Sequence, residues 1–195
     1  MTIDMNMHWR AWRAEENKPT LTGEIGAGLL VVLTGNGKGK STAAYGMAWR
    51  AMARKIHVGV VQFIGNGELN AETQTLGKHA FGEVKVFGAG CNWQSQHRNE
   101  NKAQAVAAWI EVKRMLADTK YGMVICDDIL PLLHEQWLNL DTVQRELKQR
   151  RRNVHVILTG RHAPYEIMDQ ADLVTEMRQV KYPQMATPAQ AGIEF

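Results

Sequence analysis

Fifteen residues, Gly28 to Thr42 (GLLVVLTGNGKGKST), constrain this chain more than any other part of it. The stretch opens on Leu29, Leu30, Val31, Val32 and Leu33, an apolar run of the kind that forms a strand buried on both faces. It breaks into Thr34-Gly35-Asn36-Gly37-Lys38-Gly39-Lys40-Ser41-Thr42, and an Ala-rich helical pattern follows (Ala43, Ala44, Met47, Ala48, Ala51). Strand, glycine loop with Lys-Ser, then helix is the setting of a phosphate-binding loop. Glycines let the backbone fold into a nest of inward N–H groups, and the helix N-terminus adds its positive dipole end. Lys40 is then expected to reach between phosphates and the Ser41 hydroxyl to take a magnesium ion. The strict pattern G-x-x-x-x-G-K-[ST] is missed at one position, because its first glycine falls on Thr34. A chance Gly/Lys turn before a helix is the alternative.

At 195 residues the chain is long enough for one domain with a full core. Apolar residues at 45% and charged residues at 22% suit a soluble globular class. A net charge of +3 gives no warrant for nucleic acid, though it suits anionic ligands. Cys91 and Cys126 form neither a disulfide framework nor a metal pattern, so a reducing cytoplasm is the expected setting. No apolar stretch approaches the roughly 20 residues of a membrane span, and the opening segment has no signal-like apolar core.

Residues 1–27 read as an N-terminal arm, packing on the body or on a second subunit or else forming a flap over the site, and residues 28–195 as the domain. Thr20 to Gly28 reads as a linker. Further strands are expected at 57–64, 84–87, 122–126 and 154–158, with helices at 98–117 and 139–150. Asp169 to Glu176 reads as a short helix-to-strand passage, and 181–195 as a loop across the strand ends. Five apolar strands alternating with helices predict a parallel sheet with its loops 34–42, 64–70, 88–98, 127–133 and 159–164 on one edge. Open sheets of this type bind ligands beyond the carboxyl ends of their strands.

Val124-Ile125-Cys126-Asp127-Asp128 is an apolar strand ending in an acidic pair downstream of the glycine loop. A carboxylate there can hold magnesium opposite Ser41, or serve as a turn or cap residue. Trp93, in a Gly-rich loop, is either a loop anchor or a stacking surface for a planar ligand. Cys91 is either a reactive thiol or a small buried one. Arg161 is placed to meet phosphate or to form a structural ion pair. Lys148, Arg150, Arg151 and Arg152 read as a solvated helix terminus before a nucleic-acid patch.

TGNGKGKST, VGVVQFI, the Gly88-Ala89-Gly90-Cys91-Asn92-Trp93 loop, the acidic pair after VIC, then ILTGR and the closing Gly192-Ile193-Glu194 together resemble the corrinoid adenosyltransferases. The resemblance runs in order from about Gly28 to Phe195. It implies an α/β fold, P-loop NTPase-like (RecA-like), with a parallel sheet between helices in three layers. It implies transfer of the 5′-deoxyadenosyl group of ATP to the Co(I) centre of a reduced corrinoid, with release of triphosphate. Lys40, Ser41 and Asp128 then carry the chemistry. Asn36, Gly37, Lys38, Gly39, Lys40, Ser41, Thr42 and Arg161 meet ATP, while Gly90, Cys91 and Trp93 face the corrinoid. Ser41, Asp127 and Asp128 hold Mg2+ or Mn2+. A homodimer and an electron-donating flavoprotein are implied as well, with no nucleic-acid or membrane partner. The chain departs from the family at Cys91, where an aromatic is usual, at Asp128, where glutamate is usual, and at Lys181-Tyr182-Pro183, where Lys-His is usual. The competing functions are a P-loop kinase or ATPase and a non-catalytic nucleotide or corrinoid carrier.

Overall fold

The computed structural model describes residues 26–65, 70–88, 98–181, 188 and 190–193. Six strands form one sheet: β1 (Leu30–Thr34), β2 (His57–Gln62), β3 (Gly82–Val86), β4 (Tyr121–Asp127), β5 (His155–Thr159) and β6 (Leu173–Glu176). Their order is β3-β2-β4-β5-β1-β6, and each pair is parallel. Six helices are described: α1 (Lys40–Ala53), α2 (Ala71–Gly77), α3 (Arg98–Ala117), α4 (Leu130–His134), α5 (Leu140–Lys148) and α6 (Tyr165–Gln170).

The apolar runs exist because helices cover both faces of the sheet. Alternate residues of β1 serve different layers. Leu30 and Val32 pack with Val124, Cys126, Val156 and the inner side of α3. Val31 and Leu33 pack with Val60, Ile125, Ile157 and α1. All five residues of β1 are buried, and each of its four aliphatic side chains contributes about 1.5–3 kcal/mol relative to exposure. Helix α1 approaches the sheet through Ala44, Ala48 and Ala51 beside Tyr45 and Met52. Helix α3 turns Ala105, Ala108, Trp109, Val112 and Met115 inward, the face expected from their 3- and 4-residue spacing.

The differences from expectation have physical causes. Leu29 is 43% exposed and lies outside β1. Gly28 is no loose linker residue: its N–H donates to Arg152 O (2.7 Å), and a Cβ there would stand 2.1 Å from Val154 O. The passage to Glu176 resolves into α6 and a sixth strand, β6, exposed along its whole length. Helix α2 was not anticipated, since only Thr73 and Leu76 are buried within it. Its start is fixed by Asn70, whose side chain accepts from Thr73 N (2.8 Å). The basic cluster does structural work. Arg150 donates to Leu147 O and Gly28 O, and Arg151 donates to Leu116 O, Asp118 O and Tyr121 O.

Candidate active site at the P-loop edge

Gly39 caps α1 in the left-handed region, at φ 104°, so the loop turns into the helix without steric cost. Gly35, at φ 96°, lies so close to the end of β6 that a Cβ would stand 2.4 Å from Met177 O. The loop is also bonded to that strand end. Gly37 N donates to Met177 O (2.7 Å), and Met177 N donates to Thr34 O (2.8 Å). Thr34, at the position of the missing glycine, has a task of its own. Its buried hydroxyl accepts from Ala163 N (3.3 Å), linking the P-loop to the loop that carries Arg161.

Lys38, Gly39, Lys40, Ser41, Thr42, Asp128 and Arg161 line one cleft of about 520 Å³. The structure therefore brings together most of the residues expected to meet phosphate and metal. Lys40 Nζ rests on Gly37 O at 2.6 Å. Burial and the Arg161 guanidinium lower its pKa, and Asp128 and Asp127 oppose that shift. Asn36 is separate: it lines a hollow of about 360 Å³ with Glu176, Arg178 and Gln179. Gly90, Cys91 and Trp93 lie outside the described residues, as do 1–25 and 182–187.

The two aspartates divide their roles. Asp127 is 2% exposed and both its carboxylate oxygens are engaged. Tyr45 OH donates to Oδ2 (2.7 Å) and Thr159 Oγ1 donates to Oδ1 (2.7 Å). Asp128 is the acid that faces the cleft. It sits at φ 57°, with its N–H donating to Thr159 Oγ1 (2.9 Å). Burial and the adjacent Asp127 raise its pKa to about 6, against the pull of Lys40 and Arg161. Burial and Asp127 also hold the Tyr45 phenol far above its ordinary pKa, so it stays a donor. Cys126, directly before the pair, is fully buried with its thiol pKa pushed up, which makes it inert filling.

Tyr45, Thr159, Ile64, Asn70, Glu72 and Pro131 are site or supporting residues that motif reading passes over. A hydroxyl on the inner face of α1, four residues after Ser41, is the one sequence signal for Tyr45. Ile193 also lines the cleft, so this part of the tail reaches the strand ends. A larger hollow, about 890 Å³, lies away from the P-loop between α3 and α5, walled by Val106, Trp109, Ile110 and Trp137. No residue of the P-loop lines it, nor do Asp128 and Arg161.

Among solved structures, the flagellar accessory protein FlaH from Methanocaldococcus jannaschii matches 78% of this chain and 72% of its own, at TM-score 0.50 and 14% identity. That likeness supports the P-loop NTPase-like fold alone. A corrinoid adenosyltransferase of Sinorhizobium sp is 40% identical over 86% of this chain and 80% of its own length. The corrinoid adenosyltransferase CobA of Salmonella typhimurium is 40% identical over 86% of each chain. The family model described as ATP:corrinoid adenosyltransferase BtuR/CobO/CobP matches residues 26–195. This chain, with its P-loop cleft at the edge of a parallel sheet, belongs to the ATP:corrinoid adenosyltransferase family.

Proposed function

We propose that the P-loop cleft binds ATP and that the protein transfers the 5′-deoxyadenosyl group to a reduced corrinoid. The supporting observation is the convergence of Lys38, Lys40, Arg161 and the α1 N-terminus on one cleft in a chain of this family. The Co(I) substrate attacks C5′ of the ribose. A Co–C bond forms as the C5′–O bond breaks, and that electron pair leaves with triphosphate. The protein's main task is to stabilise the growing charge on the leaving group, which suits preorganised amides and ammonium groups. Lys40 leaves Gly37 O to meet phosphate, and phosphate restores the charge that burial and Arg161 disfavour. Cobalt is the nucleophile, so no side-chain base is required.

The cleft's hard oxygen donors, the Ser41 hydroxyl and the Asp128 carboxylate, fit Mg2+ or Mn2+. A cation held there would offset charge on triphosphate. Asp127 acts from beneath, fixing Tyr45 and Thr159. The corrinoid is assigned to the side of the loop that begins at Gly88 and contains Gly90, Cys91 and Trp93. No described helix is long and apolar enough to cross a membrane. A cytoplasmic homodimer supplied with electrons by a flavoprotein, with residues 1–27 as an arm on the 28–195 domain, completes the proposal.

The test is incubation with ATP, magnesium and chemically reduced cobalamin. Light-sensitive adenosylcobalamin and inorganic triphosphate are expected in equal amounts, and Lys40→Ala should lower turnover by about 100-fold or more. ADP as the nucleotide product would instead establish a kinase or ATPase.

A further inference from the structure

Two buried side-chain atoms among the described residues have no hydrogen-bond partner, Gln62 Oε1 and Gln170 Oε1. Gln170 at least uses its amide nitrogen on Gln144 O, and its helix α6 contributes nothing to the cleft. Gln62 is different. It is the last residue of β2, on the sheet edge where the P-loop lies, and it is 9% exposed. Its backbone is paired: Phe87 N donates to Gln62 O (2.9 Å). Its side chain belongs to the α1 side of the sheet, the side of Val58 and Val60. In the β2–β4 register it stands opposite Asp127, which Tyr45 and Thr159 hold. Native proteins seldom leave a buried amide carbonyl without a donor, so an exception calls for a partner or a role.

Gln62 does not itself line the cleft, but residues that follow it in the chain do. Ile64 and Asn70, from the connection after β2, and Glu72, in the first turn of α2, line the cleft together with Lys40, Ser41 and Asp128. Gly65 adds no side chain over the amide; a Cβ there would stand 3.4 Å from Nε2. Along the edge the strands run β2-β4-β5-β1. The P-loop after β1 and Gln62 at the end of β2 are thus three strand spacings apart, about 14 Å. A nucleotide with its phosphates on the P-loop and its long axis along this edge toward β2 would bring its sugar to Gln62. Phosphate oxygens are chiefly acceptors and are matched to the lysine and arginine groups of the cleft, whereas ribose hydroxyls are donors.

We infer that Gln62 Oε1 accepts a hydrogen bond from a ribose hydroxyl of the bound nucleotide and so fixes the sugar relative to the phosphate cradle. This rests on ATP occupying the cleft, as proposed above. Gln62→Leu and Gln62→Met remove the acceptor while keeping most of the side-chain volume. Neither should lower the melting temperature of the unliganded protein, because each deletes an unpartnered polar atom.

The experiment is calorimetric titration of wild type and both variants with ATP, 2′-deoxyATP, 3′-deoxyATP and inorganic tripolyphosphate. Both variants should bind ATP about tenfold more weakly and tripolyphosphate unchanged. One deoxy analogue should bind wild type and variants alike, which identifies the hydroxyl. Equal weakening of ATP and tripolyphosphate overturns the assignment, as does equal weakening of ATP and both deoxy analogues. Unchanged ATP binding with impaired corrinoid use also overturns it, since the donor would then be a corrin amide. A wild type that binds tripolyphosphate but not ATP overturns the proposed function along with this assignment.

Discussion

Asp128 carries the sharpest consequence at the scale of single residues. Its folded pKa of about 6 lies above its ordinary value of 3.8, chiefly through burial and then through Asp127. The folded state therefore holds this proton more tightly than the unfolded state. Stability from this group is full below pH 4 and is lost as pH rises through about 6. Asp128→Asn lacks that decline. In the unliganded protein the variant should be more stable than wild type at pH 7, by about 1–3 kcal/mol. The difference should grow between pH 4 and 6 and level off above, as read from urea midpoints. A difference that stays constant across this range would refute the burial argument. The destabilising charge is the one that a divalent cation in the cleft would need, a common pattern for binding residues. Lys40, Ser41 and the acidic pair could be found from motifs because their chemistry is local in sequence. Tyr45 and Thr159 could not, because they reach Asp127 across 82 and 32 positions through strand and helix packing. Thr34 looked like a defect in the motif, and only the partner on Ala163 N shows its use.

Elements were readable in proportion to their burial. β1, β2, β4 and β5 are covered on both faces, so their Val, Ile and Leu runs stand out. β3 is half-buried and its expected start was two residues late. β6 is exposed throughout, and α2 is short, so neither leaves a strong apolar period. Arg151 shows how the elements are joined at the edge opposite the cleft. Its guanidinium bonds the carbonyls of Leu116 in α3, Asp118 in the turn and Tyr121 in β4, at 2.9, 2.7 and 2.7 Å. A lysine ammonium is a single point and cannot span this fork. Arg151→Lys should cost about 1–3 kcal/mol in urea unfolding, with kcat and the KM for ATP unchanged because the cleft is at the other edge. Loss of activity without loss of stability would contradict this role.

At the scale of the whole molecule, the central strands are shielded and the working edge is assembled from the loops that leave them. The exception is the edge strand β6, which among the described residues pairs with β1 alone and, unlike β3, is exposed throughout, with Leu173 and Val174 exposed by 43% and 42%. The P-loop leans on its end, through Gly37 N to Met177 O and Met177 N to Thr34 O. An edge strand of the sheet thus props the loop proposed to hold phosphate. Local opening of β6 should release that grip without unfolding the core, so ligand affinity and fraying of this strand are one equilibrium. Amide hydrogens of Thr175 to Met177 should exchange several-fold more slowly with saturating tripolyphosphate, while those of β4 keep their rates. If exchange at these amides ignores the ligand, the prop is passive. If it slows, the protein senses its substrate at the rim of the sheet, where a stiffer or looser last strand would tune how long triphosphate stays.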